Sequence, residues 1–69
     1  MWDTRKHATF AEFVASLDTG ELWEQLSSLH SYFDSCHESG QGINTKEVAW
    51  ERGFIEALRN RGQRATYWN

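Results

Sequence analysis

The chain contains no proline, a single cysteine and no cluster of β-branched residues. Without proline, nothing in the sequence interrupts helix except glycine, and the scarcity of β-branched runs argues against strands. One cysteine, Cys36, excludes an internal disulfide and fits a reducing compartment. No stretch approaches the roughly 20 apolar residues that a bilayer crossing requires. The segment behind Met1 is polar and charged through His7, so no secretory leader is expected. No glycine loop precedes a lysine in a phosphate-cradling pattern, and neither a strained nucleophile turn nor a paired-carboxylate cleft can be recognised. A deep pocket also needs more chain than this. The reading is therefore non-enzymatic, with no cofactor.

Four tryptophans stand out against these absences in 69 residues. A chain this short sits near the lower limit for a self-sufficient core, and a partner surface is one way to shelter large aromatics. An oligomer, or a subunit of a larger assembly, is the expectation.

Charge is unevenly distributed within a net of −3. Residues 16–40 hold Asp18, Glu21, Glu24, Asp34 and Glu38 with no Lys or Arg, while residues 41–69 are net positive. Such polarity suits either attraction between two neighbouring helices or head-to-tail contacts between copies, and the first is the simpler reading.

Apolar spacing predicts an all-α fold of three helices in one domain spanning residues 1–69. A short first helix over 9–17 starts at the capping pair Thr9 and Glu12, with Phe10, Phe13, Val14 and Leu17 on one face. A second helix over 20–38 is capped by Asp18 and Glu21. Its stripe Leu22, Leu26, Leu29, Phe33 and Cys36 falls within about 80° of arc, a narrow seam for a neighbouring helix. Ser39-Gly40-Gln41-Gly42 ends it. The third helix, over 44–61, opens at Asn44 with Glu47 as the return partner and an Ile43–Val48 staple, and Gly62 caps its far end. A tail over 63–69 follows. The short glycine-containing connection makes helices two and three an antiparallel hairpin. The first helix packs on that hairpin, its phenylalanines between Trp23 and Trp50.

Several residues invite a specific role. Glu51 projects into the apolar arc of helix three at the level of His30. It is either a buried polar specificity contact that uses a partner such as His30, or a head group that bends into water. Gly53 costs about 0.8–1 kcal/mol in mid-helix against alanine, so a close backbone approach is expected there. With Ala49 and Ala57 it forms a small-residue face, next to Trp50, on which a neighbouring chain could pack. Trp2, Tyr67 and Trp68 are either anchors for a partner or ends that fold back over a deficient core. His30, Cys36 and His37 cannot converge on one metal ion from a single helix, so no metal site is expected. Arg59, Arg61 and Arg64, interleaved with aromatic and amide side chains, offer a nucleic-acid contact as an alternative. Against it, Glu47 and Glu51 occupy the opening turns of the helix that would enter a groove.

Phe10 and Phe13, Gly20, the Leu22-Leu26-Leu29 run and the segment Arg52-Gly53-Phe54-Ile55-Glu56-Ala57-Leu58-Arg59 together resemble small helical proteins of tailed bacteriophages, encoded near portal and other head genes. The resemblance covers residues 9–60. It implies a structural or head-assembly component of the virion whose partners are phage structural proteins or its own copies, with no membrane. The chain would then be made in the host cytoplasm and incorporated in the particle. Two alternatives accompany this expectation: a phage-encoded inhibitor docking on a host protein, and a nucleic-acid accessory protein using the C-terminal arginines.

Overall fold

A computed structural model describes residues 9–68. It contains three helices, α1 (Phe10–Ser16), α2 (Thr19–Glu38) and α3 (Thr45–Asn60), and no strand among the described residues. The fold is all-α, and each helix begins or ends within one residue of its predicted bounds.

The helix ends are set by local chemistry. Thr9 Oγ1 accepts from the Glu12 amide at 3.1 Å, and α1 closes where Ser16 Oγ donates to the Phe13 carbonyl and Leu17 turns extended. Asp18 and Glu21 form a complete capping box, with the two bonds at 2.7 and 3.0 Å. At Asn44 the expected box does not close. Asn44 Oδ1 takes the Lys46 amide instead, and the Glu47 carboxylate turns away to accept from the Tyr32 hydroxyl across the hairpin. Both long helices finish in the same motif. Gly40 and Gly62 adopt φ of +75° and +80°, and the next amides, of Gln41 and Gln63, reach back to the carbonyls of Cys36 and Leu58. Glycine takes this left-handed conformation at no steric cost.

Helices α2 and α3 pair in antiparallel register: Thr19 meets Arg61, His30 meets Glu51 and Tyr32 meets Glu47. The seam buries the predicted stripe, Leu22, Leu26, Leu29, Phe33 and Cys36, against Phe54, Ile55 and Leu58. Each such side chain contributes about 1.5–3 kcal/mol over leaving it in water. Ile43 packs against this core, whereas Val48, its expected staple partner, is 47% exposed.

Helix α1 lies on α3. Phe10 stacks on Trp50 with ring centroids 6.3 Å apart and meets the Phe54 ring at 5.3 Å, and Phe13 meets Phe54 edge-on. The expectation that the phenylalanines also reach Trp23 is not met. Trp23 is 37% exposed, and its indole donates to Gln63 in the tail at 3.2 Å. What draws α1 to α3 is Gly53: a Cβ built there would stand 2.5 Å from Phe10 Cε2, so the ring occupies space that any other residue would fill.

Candidate interaction surface

Beyond α3 the chain reverses at Gly62 and runs back along the hairpin. Arg59 Nε donates to the Ala65 carbonyl at 3.1 Å, and Ala65 is fully buried. Trp68 then packs its indole edge-on against Phe33, with centroids 5.8 Å apart, and lies against His37. Both N–H groups of Trp68 find carboxylates. The indole donates to Asp34 Oδ1 at 2.6 Å, and the backbone amide donates to Glu51 Oε2 at 2.7 Å.

Glu51, only 5% exposed, is the hub of this clasp. Its Oε2 also lies 2.7 Å from His30 Nε2. Burying a carboxylate is costly unless hydrogen bonds replace its lost water, and here two arrive from different parts of the chain. With the carboxylate ionised, the shared hydrogen belongs to His30 Nε2, which leaves Nδ1 as an acceptor. The sequence reading paired Glu51 with His30 as a contact specifying a partner, or left the head group in water. In the structure the pair forms within one chain, and the carboxylate is not in water.

Trp68 is likewise corrected as a partner anchor: its ring and both of its N–H groups are used inside the chain. Trp2 lies outside the described residues. Tyr67 is exposed, its ring 5.8 Å from the Arg59 guanidinium. The reading of Gly53 as the seat of a neighbouring chain is corrected too, because the close approach there is Phe10 of the same chain. Ala49 is exposed, Trp50 is half-buried beneath Phe10, and Ala57 lines a groove of about 430 Å³ between α1 and α3 together with Phe10, Val14 and Gly53.

The charges resolve differently from the simpler expectation. Between described residues of formal charge there is one ion pair, Arg52–Glu56 within α3, while Glu51 meets His30 in a hydrogen bond. Glu21, Glu24, Asp34 and Glu38 are exposed, and no Lys or Arg among the described residues pairs with them. Attraction between the two helices therefore does not account for the acidic face of α2. On α3 and the tail, Arg59 is held by Ala65, Arg61 reaches Thr19 Oγ1 at 3.4 Å, and Arg64 is exposed without a hydrogen bond among the described residues.

Among the described residues, Tyr32 is the one titratable side chain clearly displaced. A hydrogen bond and charge from Cys36, with the Glu47 carboxylate adding to them, push its pKa up to about 12, so the phenol remains a donor. Cys36 itself is buried in the seam. Among the described residues, no three His, Cys, Asp or Glu side chains gather as metal ligands, and no helix is long and apolar enough to cross a membrane.

Asp34 and Gln63 are the contacts that the sequence reading did not single out. Asp34 stands one turn from His30 on α2, a spacing that puts both on one face, and this was the available signal. Gln63 gave none. Compared with protein-family models, curated proteins and solved structures, the chain matches none.

Proposed function

We propose that this chain is a non-enzymatic protein–protein interaction protein, a small structural or assembly component of a tailed-bacteriophage particle. The observation that carries the reading is the acidic face of α2. Glu21, Glu24, Asp34 and Glu38 face solvent without basic counterparts among the described residues, on the helix that also exposes Trp23 and Tyr32. Like charges kept together at a cost in self-repulsion, beside aromatic surface, suit recognition by a complementary partner. The closed seam of α2 and α3 means that a partner meets a finished surface instead of completing the core. The phage assignment rests on the sequence resemblance, and with it go synthesis in the host cytoplasm and incorporation into the virion.

Association with other subunits is tested by sedimenting particles assembled with and without the tagged chain. Co-sedimentation that survives moderate salt supports the proposal, and a chain that stays in the supernatant at every stage of assembly refutes it. The same acidic face also favours a second reading, a phage inhibitor that docks on a basic surface of a host protein. Stoichiometric capture of one host protein by the free chain would select it. The nucleic-acid alternative draws less support, since Arg59 and Arg61 are engaged within the chain and, of the three, only Arg64 is exposed without a hydrogen bond among the described residues.

A further inference from the structure

A second groove, of about 320 Å³, runs between α2 and the returning tail and is lined by Trp23, Ser27, His30, Ser31, Asp34 and Thr66. Part of its hydrogen-bonding capacity is unused within the described chain. The side chains of Ser27, Ser31 and Thr66 make no hydrogen bond there, and Asp34 uses only Oδ1, on Trp68. His30 is tied through Nε2 to the buried Glu51, which fixes the ring and leaves the Nδ1 lone pair unused. The groove is rich in acceptors, carries one carboxylate, lies on a helix without Lys or Arg, and has an exposed indole at one end.

We infer that this groove receives an extended, arginine-bearing segment of a partner protein. His30 and Asp34 both line the groove, one turn apart on the same helix face, a spacing that one guanidinium can span with its forked donors. A lysine ammonium presents a single point charge and cannot bridge them in a fixed plane. Trp23 supplies a face on which an arginine or an apolar neighbour can stack. From Trp23 to Asp34 the helix rises about 16 Å, the reach of about five extended residues. The inference rests on the reading of the chain as a protein-binding module and names the chemistry of what it binds.

The test uses the full chain and a defined probe, the acetylated and amidated peptide Ser-Arg-Leu-Arg-Ser, followed by ¹H–¹⁵N NMR. Shift changes should be confined to the Trp23 indole, His30, Asp34 and Thr66. Replacing the arginines by neutral, isosteric citrulline should weaken binding at least about tenfold, and the lysine peptide should bind less tightly than the arginine peptide. Asp34→Asn keeps an oxygen for the Trp68 indole while removing the charge, and should cause a similar loss with the Trp68 resonances unmoved. Shifts spread evenly over Glu21, Glu24 and Glu38, or equal binding of the citrulline peptide, would overturn the inference. So would concentration-dependent shifts of the same groups in the free protein that Arg64→Gln abolishes, since a second copy would then occupy the groove. None of these outcomes depends on whether the chain sediments with particles.

Discussion

The backbone amide of Trp68 donates to Glu51 Oε2 at 2.7 Å, joining the last described residue to the middle of α3. The same oxygen holds His30 of α2. One buried carboxylate thus ties together both long helices and the tail. It is a polar solution to a problem that an apolar residue would solve more simply, and its value lies in fixing where the tail stops.

Replacing Glu51 with leucine should destabilise the chain by about 2–3 kcal/mol. Two donors lose their acceptor, at about 1–3 kcal/mol for a buried group, and the added apolar burial offsets only part of that. Urea unfolding followed by tryptophan fluorescence measures this. An unchanged or raised midpoint would mean that the carboxylate contributes nothing to the closure.

Removing Tyr67 to Asn69 should cost more, about 3 kcal/mol, because the Phe33 ring loses its cover and Glu51 and Asp34 each lose a donor. Against a total of about 5 kcal/mol for a domain of this size, about 2 kcal/mol remains, so the shortened chain should stay folded at about 25 °C and melt at a clearly lower temperature. Circular dichroism melting reads this directly. A melt superimposable on that of the full chain would show that the tail is dispensable for folding.

At Gly53 two effects oppose each other. Alanine in mid-helix gains about 1 kcal/mol from propensity, but its Cβ falls 2.5 Å from Phe10 Cε2. The ring is stacked on Trp50 and edge-on to Phe54, so it must leave both to make room. Gly53→Ala should therefore destabilise the protein by about 1 kcal/mol, and stabilise it by about 1 kcal/mol in a Phe10→Ala background. The sign reversal across this double-mutant cycle is the test. Stabilisation in both backgrounds would separate Phe10 from Gly53.

Tyr32 gives a pH signature. Its folded pKa of about 12 exceeds the ordinary 10.0, so its contribution to stability is complete below pH 10.0 and fades as the pH rises towards about 12. Absorbance at the phenolate band should show one tyrosine ionising late, and Tyr32→Phe should delete that step. A late step that persists in the variant would assign the shift to another residue.

The parts that could be read from sequence are those written in local periodicity. The stripe from Leu22 to Cys36, the Asp18–Glu21 box and the Gly62 cap depend on residues within a turn or two of one another, and all are present. A glycine in mid-helix signals the close approach at Gly53, but spacing along one helix cannot say which neighbour approaches. The tail was the hardest element. Its path is set by long-range bonds, Trp68 to Glu51 and to Asp34 and Trp23 to Gln63, which join positions 17 to 40 residues apart and leave no periodic trace. Trp68 covers Phe33, so it does not supply the uncovered aromatic surface from which an oligomer is expected.

The proposed role requires α2 to meet a partner through its acidic face. Carboxyl-selective labelling with mass spectrometry, applied to the free chain and to the chain within sedimented particles, tests this most directly. Glu21, Glu24, Asp34 and Glu38 should be labelled in the free protein and protected in the assembly, with Glu51 unreactive in both. Equal labelling of the four in both states would contradict it.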